Sequence, residues 1–143
     1  MDQVDQNEMS QDQASSLWQE AIALRGSGKK PKIKKAIQLA ERIIAERVNP
    51  PDIQGTLHCF IGDCYHIDLQ KHDRAMDYYQ KASEITGDPW AFVMVGDILL
   101  HHKKDYQAAA DVLQGALARG GLKPLARDIA QDYLAEARMA LGG

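Results

Sequence analysis

The sequence predicts an all-α protein of about seven helices that pair into stacked antiparallel hairpins. Apolar residues recur at spacings of three and four along most of the chain, as on one face of an α-helix, and period-two alternation is absent. A sequence pattern also recurs after 34 residues, a period typical of helical repeats. The expected helices span residues 12–26, 31–48, 52–69, 73–86, 89–102, 105–119 and 123–141.

The first two helices are expected to form a degenerate unit over residues 12–48. Its apolar positions are Trp18, Ala21 and Ile22 in the first helix and Ala36, Ala40 and Ile43 in the second. Ile22 stands where the later units have glycine, and terminal repeats often depart from the pattern because they cap the stack. Residues 49–52, Asn-Pro-Pro-Asp, are expected to break the chain before the next unit.

Residues 52–86 and 89–119 are two clear copies of the repeat. Ile61-Gly62-Asp63 recurs as Val95-Gly96-Asp97. Further matches at the same offset pair Tyr65 with Leu99, Ala75 with Ala109, Tyr79 with Leu113, and Ala82 with Ala116. Glycine and alanine remove side-chain bulk where two helices cross closely. Between the copies, Gly87 is expected to end one helix, and Asp88 and Pro89 to begin the next.

The last expected helix, residues 123–141, carries a broad apolar stripe. Its apolar pairs include Leu125-Ala126, Ile129-Ala130, Tyr133-Leu134 and Ala140-Leu141. This stripe is expected to cover the end of the stack, as a capping helix does. A self-association surface is the alternative.

Composition limits the class of protein. A chain of 143 residues with 45% hydrophobic and 26% charged residues can form one domain without disulfides or metal. A net charge of −3 disfavours nucleic acid and anionic membranes as partners. The start of the chain lacks the basic residues and apolar run of a secretory signal. Residues 1–11 are mostly polar and are expected to form a disordered tail. Because no apolar run approaches the roughly 20 residues that span a bilayer, we expect a cytoplasmic protein without membrane insertion.

The repeat resembles the tetratricopeptide family. The resemblance rests on Gly62, Tyr65, Ala75, Tyr79 and Ala82, and on Gly96, Ala109, Leu113 and Ala116 in the second copy. It covers about residues 14–119 and implies a right-handed superhelix whose first helices line a concave groove. In both copies the interval from glycine to alanine is one residue longer than the family's usual spacing, so a looser turn between the helices is expected.

The resemblance implies a protein-interaction module or adaptor. Its groove positions are Thr56, Cys59, Phe60, Asp63, His66, Trp90, Met94, Asp97 and His101. The expected partner is a peptide or helix that is apolar and carries basic residues for the two groove aspartates. Phe60 and Met94 could equally be core residues. The competing function is a structural or assembly subunit that acts through homo-oligomerisation or its last helix.

Catalysis and metal binding are not expected. Cys59, Asp63 and His66 fall within about 60° on one helical face and could touch one ion. A structural zinc site needs four ligands, and no second cluster lies at a recognised spacing, so we predict no metal, no cofactor and no enzyme. His101 and His102 precede two lysines, which fits the end of a helix.

One basic patch stands out near the start of the second helix. It consists of Lys29, Lys30, Lys32, Lys34 and Lys35. Such a patch can meet phosphates or an acidic protein, but no aromatic residues interleave with it as they do in many nucleic-acid surfaces. We therefore rank nucleic-acid association below protein binding.

Overall fold

The computed structural model describes residues 9–46 and 51–142. Its helices are α1 (Gln11–Gly26), α2 (Lys30–Glu46), α3 (Pro51–Asp63), α4 (His72–Thr86), α5 (Pro89–His101), α6 (Tyr106–Arg119) and α7 (Pro124–Ala140). A π-helix, Cys64–Asp68, continues α3. The prediction of an all-α protein with about seven helices is confirmed for the described ranges, which contain no strand. Of the expected disordered tail at residues 1–11, residues 1–8 lie outside these ranges, as does the expected break at 49–50. The prediction is wrong for the last three tail residues, because Met9 is buried in the core, Ser10 caps α1 and Gln11 begins it.

The helices pack as consecutive hairpins. α1 packs on α2, α3 on α4, and α5 on α6, while α7 packs against α6 and α5. Neighbouring hairpins meet through contacts of α2 with α3 and of α4 with α5. Each helix therefore buries its apolar face against the helices next to it in the chain, as the period of three and four predicts.

Local sequence explains where individual helices begin and end. The Ser10 side chain accepts a hydrogen bond from the Gln13 backbone N–H, and the Gln13 side chain accepts one from the Ser10 N–H, which together cap α1. Gly87 has a left-handed φ of 66° at the end of α4. Asp88 then accepts a hydrogen bond from the Trp90 N–H and caps α5. The expected roles of Gly87 and Asp88 are confirmed.

The two repeat glycines are contact points inside their hairpins. A Cβ atom added to Gly62 would lie 2.7 Å from Cε1 of Tyr79, and one added to Gly96 would lie 2.6 Å from Cγ of Leu113. The repeat alanines, Ala75, Ala82, Ala109 and Ala116, are all fully buried. Small residues therefore let the two helices of each hairpin approach closely, as the sequence pattern predicts.

The same offset of 34 residues is visible in the backbone turn inside each hairpin. Gln70 and Lys104 occupy equivalent positions and both have a φ of 55°. The backbone N–H of the next residue bonds the carbonyl of Tyr65 at 2.7 Å in one unit and that of Leu99 at 2.8 Å in the other. Each unit also has a hydrogen bond that spans five residues, Leu69 to Cys64 and Lys103 to Ile98, which widens the helix end.

α7 covers the last hairpin. Ala130, Leu134 and Ala137 are buried on its inner face, and Ile129 and Tyr133 pack partly against the core.

Among the described residues, no helix is long and apolar enough to cross a membrane.

Candidate functional site

Side-chain contacts join the first helices of successive hairpins along one face, which we call the first-helix face. Trp18 of α1 packs edge to face against Phe60 of α3, with ring centroids 4.8 Å apart. Arg25 of α1 donates a 2.7 Å hydrogen bond to Asp68 in the π-helix, and its guanidinium lies 5.8 Å from the Phe60 ring centroid. The expected groove positions lie on the helices of this face.

Asp63 is bound within its own hairpin. The Tyr79 hydroxyl donates a 2.5 Å hydrogen bond to Asp63 Oδ1. Burial raises the pKa of Asp63, while hydrogen bonds from Tyr79 and Trp90 and the charge of Arg25 act against this shift. Burial and the neighbouring Asp63 carboxylate in turn raise the pKa of Tyr79. Asp63 therefore holds α3 to α4 in addition to facing the neighbouring helices.

Asp97 connects three elements. Its Oδ2 lies 2.6 Å from Nε2 of His66 in the π-helix, and its Oδ1 lies 2.5 Å from Nδ1 of His101 on α5. His101 Nε2 continues the chain of contacts to both carboxylate oxygens of Glu136 on α7 at 3.1 Å. Burial works against ionisation of Asp97, but the hydrogen bonds from the two histidines outweigh it and lower its pKa.

The remaining expected groove residues differ in exposure. Thr56 is exposed and Trp90 is half-buried. Cys59, Phe60 and Met94 are buried in the core. The Cys59 thiol donates a 3.4 Å hydrogen bond to Asp88, and burial followed by the charge of Asp88 raises its pKa.

The structure does not bring Cys59, Asp63 and His66 to one point. Cys59 bonds to Asp88, Asp63 accepts from Tyr79, and His66 bonds to Asp97. Both cysteines of the chain are free thiols, and burial raises the pKa of Cys64 to about 12. Because a reactive cysteine needs an accessible thiolate, neither thiol is placed for nucleophilic chemistry.

A different set of side chains does converge: His66, His72 and His102, which we call the histidine cluster. One ring nitrogen from each of the three lies within 4.8 Å of those of the other two. His66 Nδ1 lies 2.9 Å from His72 Nδ1, and the rings of His72 and His102 stack with centroids 3.6 Å apart. The π-helix supplies the first histidine, the first residue of α4 the second, and the C-cap of α5 the third.

The histidine cluster lies at the edge of a depression of about 420 Å³. Residues lining this depression include His72, His102, Lys71, Asp73, Arg74 and Lys103. Lys103 forms an ion pair with Asp73 across it. His66 is only 6% exposed, whereas the His102 side chain faces solvent. Partial burial and the neighbouring His102 and His66 lower the pKa of His72, which favours a neutral imidazole.

Exposed apolar residues lie elsewhere on the first-helix face. Ile22 on α1 is 48% exposed and Ile67 in the π-helix is 51% exposed. Ile22, Arg25, Phe60 and Asp68 line a depression of about 450 Å³. Ile22 therefore lies at the contact between the first two hairpins, and Ile67 is the residue before Asp68 in the π-helix.

Two other surfaces named from the sequence are also accessible. All five residues of the basic patch, Lys29, Lys30, Lys32, Lys34 and Lys35, are exposed. On α7, Leu125 is 73% and Met139 is 77% exposed. These two residues are 14 positions apart, so they lie within about 40° of each other around the helix axis.

Of the three clustered histidines, only His66 was expected at a site, together with Cys59 and Asp63 of its own helix. His102 was expected at a helix end, which is where α5 ends. The sequence signal that points to their proximity is the position of His66 and His102, which both lie near the end of the first helix in consecutive units. A comparison with protein-family models and a comparison with curated proteins each found no match.

Proposed function

We propose that this protein is a tetratricopeptide-like interaction module that binds a peptide or helix of another protein on its first-helix face. The observation that carries the proposal is the exposure of Ile22 in the depression between the first two hairpins, with a second exposed isoleucine, Ile67, next to Asp68 in the chain. Half-exposed Ile22 lines this depression with Phe60, whose ring packs on Trp18, and the three side chains offer an apolar surface that a partner side chain would cover.

The apolar contacts come first in this proposal because the groove aspartates are already engaged. Asp63 accepts from Tyr79, and Asp97 accepts from His66 and His101. A basic side chain of the partner would add hydrogen bonds to the remaining lone pairs of these carboxylates or to Asp68. Charge therefore sets the orientation of the partner, while burial of the isoleucines supplies the affinity.

Binding rather than catalysis also fits the chemistry of the described side chains. The two thiols are buried, and burial raises the pKa of each. The 34-residue equivalence of packing glycines and turn residues supports a repeat scaffold. Such scaffolds present rigid faces, so little conformational entropy is lost from the scaffold on binding.

The test is capture of partners from a lysate of the source organism with wild type and with the single variants Ile22→Glu and Ile67→Glu. Both substitutions place a charge at a half-exposed position, so the fold should tolerate them. Losing the burial of these side chains should cost about 1–3 kcal/mol, which weakens binding of the identified partner roughly 5- to 150-fold.

Ile85→Glu is the matched control, because Ile85 is 39% exposed on α4, a second helix. We expect it to retain the partner that the other two variants lose. Circular dichroism and thermal unfolding establish that all variants are folded. If all four proteins retain the same partner equally well, the first-helix face is not the binding surface.

A second candidate, self-association through α7, is favoured by the exposure of Leu125 and Met139 on one side of this helix. Sedimentation equilibrium of wild type should then give the mass of a dimer, and the Leu125→Glu, Met139→Glu double variant should be a monomer. A monomeric wild type at about 100 μM, well above a micromolar Kd, would exclude this function.

A further inference from the structure

We propose that His66, His72 and His102 form a binding site for a divalent first-row transition-metal ion of the zinc class. The site lies at the junction of the second and third hairpins, away from the exposed isoleucines of the proposed binding surface, and shares Asp97 with that surface. It combines one residue of the π-helix, one of α4 and the C-cap of α5.

Asp97 orients the buried ligand. Its Oδ2 accepts the Nε2 proton of His66 at 2.6 Å, which leaves Nδ1 of His66 to present its lone pair. That Nδ1 points at Nδ1 of His72. A carboxylate that accepts from the far nitrogen of a histidine is the usual outer partner of a metal-bound imidazole, because it fixes the tautomer and the ring orientation. Asp97 is itself held by His101.

The distances are close to those of a metal site. Zinc binds imidazole nitrogen at about 2.0–2.1 Å, so two nitrogens in a tetrahedral site lie about 3.3–3.4 Å apart. The Nδ1 atoms of His66 and His72 are 2.9 Å apart and share a proton, and all three ligand atoms lie within 4.8 Å. An ion would replace that proton, which moves to Nε2 of His72. His72 and His102 would also have to rotate out of their parallel stack, because the lone pairs of parallel rings do not point at one ion.

The ligand set and its surroundings select the class of ion. Three imidazoles without a coordinating carboxylate suit zinc and its neighbours, whereas calcium and magnesium need oxygen ligands. Lys71, Arg74 and Lys103 line the adjacent depression. Their positive charge opposes the approach of a cation, so the affinity must come from coordination by the three imidazole nitrogens. The depression leaves the fourth coordination position to water, as in open zinc sites.

Metal binding would add a further link between the π-helix, α4 and α5, which already meet through the contacts of His66 with Asp97 and of Lys103 with Asp73. His66 and His72 flank the turn of the second hairpin, and His102 ends the first helix of the third. An ion that binds only the folded protein stabilises it. At 100 times its dissociation constant, zinc should raise Tm by roughly 5–10 °C.

The experiment is titration of the full chain, prepared without a polyhistidine tag and stripped with EDTA, with Zn²⁺ by calorimetry and with Co²⁺ by visible absorption. We expect one ion per chain and the intense visible bands of four-coordinate Co²⁺, without the near-ultraviolet bands of cobalt–thiolate bonds. His72→Ala and His102→Ala should each weaken zinc binding by more than the roughly 10- to 100-fold that removal of an outer partner costs.

Two further variants separate a built site from general surface binding. Asp97→Asn keeps an acceptor for His66 but removes the charge, and it should weaken zinc about 10- to 100-fold. Gln70→Ala changes a residue that lines the same depression outside the ligand set, and it should bind as wild type does. The proposal is overturned by any of three results: no stoichiometric binding at 100 μM zinc, which is 10–100 times a Kd of 1–10 μM; equal binding by the histidine variants; or thiolate bands with Co²⁺.

Discussion

Replacement of the repeat glycines by alanine should destabilise this protein, although alanine is the better helix former. Gly62 and Gly96 lie in the first helices of two hairpins, directly against side chains of the second helices. At an open helical position, alanine in place of glycine gains about 0.5–1 kcal/mol of stability. At these two positions the added methyl group meets atoms that cannot move away freely.

The size of the effect follows from the contacts. At Gly62 the new Cβ would lie 2.7 and 2.8 Å from two ring carbons of Tyr79, whose side chain is fully buried and whose hydroxyl bonds Asp63. At Gly96 it would lie 2.6 Å from two carbons of Leu113, which is also fully buried. Relief requires a shift of roughly 1 Å in a close-packed core, and such overpacking costs about 1–3 kcal/mol. After the gain in helix propensity, a net loss of about 0.5–2 kcal/mol is expected.

Urea unfolding followed by circular dichroism measures this loss, and Gly115→Ala provides the matched control. Gly115 is a glycine inside α6 with no atom within 4 Å of an added Cβ, so alanine there should stabilise by about 0.5–1 kcal/mol. In the background of Leu113→Ala the penalty of Gly96→Ala should disappear, because the obstructing side chain is gone. If Gly62→Ala and Gly96→Ala stabilise the protein as Gly115→Ala does, the repeat glycines are not required for helix approach.

Three further predictions concern single contacts. Because the folded-state pKa of Asp63 is raised, the free energy of unfolding of wild type relative to Asp63→Asn should fall as pH rises from about 4 towards 7; a difference that does not change with pH would refute this. Ser10→Ala removes the cap of α1 and should cost about 1 kcal/mol in urea unfolding, whereas unchanged stability would show that the cap is dispensable. A double-mutant cycle on Arg25 and Asp68, which are partly buried, should give a coupling energy of about 1 kcal/mol that decreases with added salt; zero coupling at low salt would refute the expected contribution.

The sequence carried enough information to predict the helices and their pairing. Apolar spacing depends on one helix burying one face, and glycine and proline act at helix ends through their own backbone restrictions, so both signals are local. The helix ends predicted at Gly87 and Asp88 are confirmed for this reason. The cap formed by Ser10 is a local signal of the same kind, because Ser10 and Gln13 have the spacing of a capping box, but it was not among the predictions.

The partners of the site residues were harder to predict than their positions. Asp63 and Asp97 were expected to face a partner protein because their family-equivalent positions line a groove. In the structure each carboxylate accepts hydrogen bonds from elements distant in sequence, Tyr79 for Asp63 and His66 for Asp97. Spacing along a single helix gives the direction of a side chain from its axis, but it does not reveal which neighbouring helix supplies a donor.

Both units depart from the tetratricopeptide spacing in the same way, and the sequence alone does not show how the helix accommodates this departure. The interval from glycine to alanine is one residue longer than the tetratricopeptide spacing in both units, and a looser turn was expected there. In both units the helix end widens through a hydrogen bond that spans five residues, and in the first unit this widening extends to a π-helix. Extra residues in helices are commonly absorbed in this way, frequently at functional sites. Here the π-helix carries His66 into contact with Asp97 and His72.

A repeat identifies what its units share, and that is why it led to the fold and not to the histidine cluster. The shared positions, glycine, alanine and the left-handed turn residue, are those that helix packing needs in every hairpin. The histidines are not shared: at the same offset, His66 matches Leu100, His72 matches Tyr106, and His102 matches Asp68. Packing alone does not require imidazole at these positions, since the other unit forms the same turn without it. Chemistry in a repeat protein is therefore best sought where one unit departs from its neighbour and several such departures meet in space.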